Sequence, residues 1–108
     1  MNLETLCWCG SRSNQADFKQ RPAMIVSARG YNSSRPDVII MAITSQLHLP
    51  AGLGEVWISQ WQAANLLKPS AIKPVFATIE QNLILKRLGT LEPADQSALR
   101  QGIATVLG

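Results

Sequence analysis

The sequence predicts a mainly β domain of α+β class, a small twisted barrel or half-barrel with one helix laid across it. Three observations predict it. Short β-branched runs recur between clusters of turn residues. One run, DVIIMAI at residues 37–43, is nearly continuous and reads as a strand buried on both faces. The last segment alone carries a clear helical period. The 108 residues suffice for one domain with one core, and no repeat, low-complexity tract or linker divides them.

In chain order, residues 23–27 (AMIVS) form a strand that enters a turn-rich loop, ARGYNSSRPD. Residues 37–43 form the buried strand, and TSQLHLPAGLG follows as a loop. Residues 55–58 (EVWI) make a third strand. Ser59 is placed to cap a short helix through QWQAANLL that ends at Lys68-Pro69. Residues 72–79 (IKPVFATI) make a fourth strand, with Pro74 better tolerated near an edge or strand start. Residues 83–88 (LILKRL) make a fifth. The closing helix starts at Pro93, suited to the first helical position, and holds Asp95 in its first turn, where the helix dipole favours a carboxylate. Leu99, Ile103, Val106 and Leu107 form its apolar stripe, and Gly102 weakens it slightly. Trp57 and Trp61 are expected in core packing.

Composition narrows the classes. Hydrophobic residues are 46% and charged residues 16%, which argues against disorder. No apolar run approaches the roughly 20 residues of a membrane span, and no basic region followed by an apolar core opens the chain, so a cytoplasmic location is expected. The net charge of +3 permits a polyanionic partner without demanding one, because the basic residues are spread. Cys7 and Cys9 form C-x-C. Redox motifs use C-x-x-C, zinc needs four ligands, and His48 is the only histidine, so CWCG by itself points to neither metal nor redox chemistry.

The blocks RPAMIVSARGYN at residues 21–32, DVIIMAITSQL at 37–47 and LLKPSAIKPVFATIEQNLILKRLGTLEPAD at 66–95, with their spacing, resemble the PemK/MazF family, the toxin halves of type II toxin–antitoxin pairs. The resemblance covers residues 14–108 and leaves 1–13 as an atypical segment of the same domain. It implies an SH3-like barrel with a C-terminal helix, usually a homodimer. It implies a cytoplasmic endoribonuclease that cuts single-stranded RNA without a metal or other cofactor. It also implies a cognate antitoxin that blocks the RNA groove, with operator DNA reached only through the antitoxin complex and no membrane partner.

Cleaving RNA without metal uses the neighbouring 2′-hydroxyl as nucleophile. The site must assist that proton's removal, protonate the leaving 5′-oxygen and stabilise charge on the phosphate. By the resemblance, Arg21 is the catalytic arginine, a guanidinium that grips two phosphate oxygens and stays charged. Thr44 is the catalytic threonine, with Ser45 as a second donor. The plainer readings are a surface arginine before a proline and a strand-end threonine bonded to its own backbone. Asp17, Lys19 and Gln20 precede Arg21 in the loop that lines the family's RNA groove and are candidate contacts. His48 and Tyr31 are further candidates, Tyr31 by stacking on a base or by anchoring the turn. The general base is not legible.

The family opens with a strand of pattern G-D-[VI]-[VI]-L-V-x-F-P-F, where this chain has LETLCWCGSR. Residues 4–13, read with each codon begun at the third base of the one before, give D-V-V-L-V-R-F-P-F. The leucine spanning Cys7–Trp8 and the valine spanning Trp8–Cys9 are forced by the genetic code, and the rest are permitted. This implies an out-of-frame translation up to about Arg12, from one insertion or deletion near the codons for residues 12–15 or an error in the recorded sequence. The replaced strand is expected to lower stability, leave an open sheet edge, or both, with Leu3, Leu6 and Trp8 partly filling the gap. Two alternatives to the nuclease follow: a remnant that only dimerises or binds its antitoxin, and a gyrase-inhibiting toxin of the same fold. The pairing of Arg21 with Thr44 argues against the latter.

Overall fold

The structure is a computed structural model that describes residues 1, 3–12 and 18–108, without the side chains of residues 11, 12, 18 and 19. Its elements run β1 (Thr5–Arg12), β2 (Phe18–Ile25), α1 (Arg29–Ser34), β3 (Asp37–Thr44), β4 (Val56–Trp57), β5 (Ala71–Glu80), a 3₁₀ turn (Gln81–Leu83), β6 (Ile84–Thr90) and α2 (Pro93–Leu107). The six strands form one antiparallel sheet in the order β4-β5-β3-β2-β1-β6. This is the half-barrel form of the expected architecture, with β4 and β6 as its edges.

β3 is interior, between β2 and β5, which is why its sequence lacks polar alternation. On one face Leu6, Met24, Met41 and Ile72 meet Leu91, Leu99 and Ile103, and α2 closes that core. Burying each large side chain there stabilises the fold by roughly 1.5–3 kcal/mol. On the other face Cys7, Cys9 and Ala23 form a smaller cluster with Ile25, Ile40, Ile79 and Ile84 packed around it. Pro74 falls where β3 and β5 shift register, past the two β5 residues that pair with β4, so no ladder bond needs its missing N–H.

Several expectations are corrected. No open edge is left at the amino terminus: β1 pairs with β2 on one side and β6 on the other. CWC supplies the alternation after all, because Leu6 enters the main core while Cys7 and Cys9 face the other way. The loop ARGYNSSRPD contains α1. Polar side chains fasten that helix: Ser34 Oγ donates to the Gly30 carbonyl (2.7 Å), Asn32 Nδ2 to the Ser27 carbonyl (3.2 Å) and Gln81 Nε2 to the Arg35 carbonyl (2.9 Å).

Residues 59–65 are turns rather than a helix. The buried Asp95 carboxylate accepts from the Ser59 N–H (2.9 Å), the Ser59 hydroxyl (2.7 Å) and the Gln60 N–H (2.9 Å). Ser59 therefore serves Asp95 instead of a helix of its own, and Asn65 at φ 66° turns the chain out of the segment. Trp57 stands exposed, its Nε1 donating to Glu55 (2.9 Å), whereas Trp61 packs on the core. Val106 and Leu107 are exposed, so the buried stripe of α2 is Asp95, Leu99 and Ile103. Gly102 is where α2 touches β4: a Cβ there would lie 2.7 Å from Val56 Cγ2, so its lower helix propensity accompanies close packing.

Candidate functional site

Arg21 lies in β2 and Thr44 ends β3. The β2–β3 ladder pairs Ala23 with Ala42 and Met24 with Met41. Arg21 and Thr44 each lie two residues beyond the Ala23–Ala42 pair, so alternation puts both on the face of that pair. Cys9 is the β1 partner of Arg21, and Ala71 is the β5 partner of Thr44. Cys9, Arg21, Thr44 and Ala71 thus share one face of the sheet, the face away from α2.

Two adjoining depressions share this face. The first, about 330 Å³, is floored by Cys9, Gly10, Ala23, Ile40, Ala42 and Ile79 and bears Arg21, Thr44 and Lys73. The second, about 290 Å³, adds Gln20, Ser45, Gln46 and Ser70 to Arg21 and Thr44. Among the described residues no carboxylate lines either one. Two cations over an apolar floor favour an anionic ligand, because little water screens the charge on that side. Thr44 Oγ1 accepts a hydrogen bond from the Gln46 N–H at 3.1 Å. That bond is the plainer strand-end role, and it also leaves the hydroxyl proton for an outside acceptor.

The other expected residues divide. Gln20 and Ser45 line the second depression beside Arg21 and Thr44. The backbone of Lys19 pairs with Ser11 at the same end of β2, and its side chain is not described. Asp17 lies outside the described residues. His48 is exposed in the loop after β3 and lines neither depression. Tyr31 sits in α1 under the Arg35 guanidinium, 5.2 Å from the ring centre, and borders a separate apolar cleft with Val26, Phe76 and Ile103.

Sequence reading missed Lys73, Gln46 and Ser70. Lys73 follows Ile72 in β5 and so points away from the core. That alternation is readable, but its nearness to Arg21 depends on the β3–β5 register.

A six-stranded antiparallel sheet, one carboxy-terminal helix and an arginine–threonine cleft on the uncovered face together define the class. The model of the PemK-like, MazF-like toxin of type II toxin–antitoxin systems matches residues 5–107, and the chain belongs to that family. The match begins inside the segment that departs from the family's strand pattern. Among solved structures, an endoribonuclease in complex with its cognate antitoxin from a mycobacterial species superposes with a TM-score of 0.79 at 18% identity, over 100% of this chain and 96% of the other. The Mycobacterium tuberculosis toxin MazF-mt6 superposes at 0.74 and 19% identity, over 94% and 95%. A MazE–MazF structure (Form-III) from Deinococcus radiodurans superposes at 0.78 and 17% identity, over 100% and 96%. At these identities the likeness is one of fold. A search of curated proteins finds no match.

Proposed function

We propose that this chain is a metal-independent endoribonuclease that cleaves single-stranded RNA through attack of a 2′-hydroxyl on the adjacent phosphate. The observation that carries the reading is that Arg21 and Thr44 line the same two depressions, which among the described residues no carboxylate enters. Arg21 grips the non-bridging oxygens and offsets the charge that grows on phosphorus. Thr44 donates its hydroxyl proton to the same phosphate, its oxygen steadied by the Gln46 N–H. Gln20, Ser45 and Lys73 contact the flanking backbone. The proposed setting is cytoplasmic and homodimeric, with a cognate antitoxin that covers the cleft and alone brings the complex to operator DNA. Two of the solved neighbours are described with their antitoxin partners, which supports that pairing. Among the described residues, no helix is long and apolar enough to cross a membrane.

The test is cleavage of a long unstructured RNA by the full chain in the presence of chelator, with Arg21→Ala alongside. Cleavage by the wild type alone is expected. A folded wild type that binds antitoxin but leaves RNA intact would make the chain a binding remnant.

We also infer that residues up to about Arg12 are translated out of frame. The support is the nine-residue family strand that the shifted frame yields at the expected place. β1 pairs regardless, since strand pairing uses backbone groups and Leu6, Cys7 and Cys9 happen to alternate. Sequencing the DNA across codons 4–15 tests this. Codons at the degenerate positions that do not encode the family strand would refute it.

A further inference from the structure

Cys7 and Cys9 are both free thiols, and their sulfurs lie 3.2 Å apart. Residues two apart on a strand share a face, so C-x-C on β1 gathers what C-x-x-C gathers on a helix turn. Cys7 is fully buried, while Cys9 lines the cleft that holds Arg21 and is itself Arg21's ladder partner. Among the described residues no third His, Cys, Asp or Glu joins them, so the pair is a dithiol rather than a metal cage.

We propose that Cys7 and Cys9 form a reversible oxidation site, reached by peroxides through the cleft, whose closure to an intrachain disulfide shifts Arg21. The chemistry balances. The Cys9 sulfur attacks one peroxide oxygen, the O–O bond breaks, and the leaving hydroxide takes a proton to become water, so Cys9 becomes a sulfenic acid. The Cys7 sulfur then attacks the Cys9 sulfur, the S–S bond forms, the S–O bond breaks, and a second water leaves with the Cys7 proton. Two thiols and one peroxide give one disulfide and two waters. A dithiol reductant reverses the step by exchange.

The pair is polarised for this order. The hydrogen bond shared with Cys7 draws the Cys9 thiol below its ordinary value, against the opposing effect of burial. The same hydrogen bond and burial push Cys7 up, so Cys7 keeps its proton. Backbone geometry explains the reversibility and the coupling. Strand residues two apart have Cα atoms about 6.6 Å apart, at the long end of the roughly 4.4–6.8 Å that a disulfide spans. Closure therefore draws the strand together, and a strained bond of this kind is readily reduced. The β1–β6 ladder is irregular between Leu6 and Cys7 and again between Trp8 and Cys9, so the CWC backbone has room to contract. Cys9 moves with it, and Arg21 is its partner in the β1–β2 ladder.

The oxidation site stands apart from the nuclease reading; only its effect on cleavage rests on that reading. The test treats the full chain with hydrogen peroxide, unfolds it in denaturant, blocks remaining thiols with N-ethylmaleimide, and records intact mass. The expected product is a monomer lacking two hydrogens, with neither cysteine alkylated, which dithiothreitol returns to a doubly alkylated chain. Cys7→Ala is expected to lose the protection and leave Cys9 alkylated or oxidised alone. Two alkylated cysteines after peroxide, or sulfinic acid without a link, would overturn the site. Coupling is read from the Arg21 backbone amide resonance, which needs no activity. A shift on oxidation is expected, and an unmoved Arg21 amide with the disulfide formed would overturn the coupling.

Discussion

The two faces of this sheet are built from similar apolar residues and put to different use. Leu6, Met24 and Ile72 lie under α2, fully buried with Leu99 and Ile103. Cys9, Ala23, Ile40 and Ile79 form an apolar floor with, among the described residues, no helix over it. The covered face supplies stability, while the uncovered face surrounds Arg21, Thr44 and Lys73 with low-dielectric material and leaves them reachable. Strand alternation keeps the two sets apart, so each can be altered without the other.

The sharpest way to separate the faces is Arg21→Ala. RNA cleavage is expected to fall about 100- to 1,000-fold, the usual cost of removing a group that stabilises transition-state charge. The urea unfolding midpoint should stay where it is, because Arg21 is exposed. A matching loss of stability would show that the faces are not independent.

The converse change is Asp95→Ala beneath α2. It removes three hydrogen bonds to one buried carboxylate and strands the Ser59 and Gln60 amides. A stability loss of about 3 kcal/mol is expected from urea denaturation. Cleavage per folded molecule should be unchanged.

Lys73→Ala tests how far the cleft extends. Loss of one exposed phosphate contact weakens RNA binding by about 1 kcal/mol, roughly fivefold in KM, with kcat unchanged. The dependence of log affinity on log salt should flatten by about one. A kcat effect instead would move Lys73 into the chemistry.

The smallest effect concerns the Arg35–Asp37 ion pair, which lies on neither face. Arg35 Nε donates to Asp37 Oδ1 at 2.9 Å and holds that carboxyl below its ordinary value. A lowered folded value means the pair's stability is present above the unfolded carboxylate range near 3.9 and is lost as pH falls through the folded value. The small gap in thermal midpoint between wild type and Arg35→Ala should therefore close on acidification below pH 4. It should also shrink in high salt, since the pair is solvent-exposed. A gap that widens in acid would contradict the assignment.

What could be read beforehand follows from how local each signal is. β3 was legible because one unbroken β-branched run suffices to mark an interior strand. The start of α2 was legible from Pro93 and Asp95, but its stripe was overextended, since period alone does not reveal that Val106 and Leu107 stay exposed. Residues 59–65 misled for a related reason. Ser59 is a good cap by type, and only the distant Asp95 decides what it bonds. β1 was the largest miss. Compared with the family pattern it looked aperiodic, although Leu6 against Cys7 and Cys9 is enough alternation once β2 and β6 stand ready on either side.

The sequence by itself determined the strand and helix segments with strong local patterns, the family, and the identity of Arg21 and Thr44 as the residues to watch. Tertiary structure decided which residues became neighbours: Arg21 and Thr44 in one cleft, Lys73 beside them, and Asp95 under Ser59. The reason is register. Side-chain direction along a strand follows from alternation alone, but contact between strands depends on how they are aligned, and a slip of one residue would turn Arg21, Thr44 or Lys73 to the opposite face.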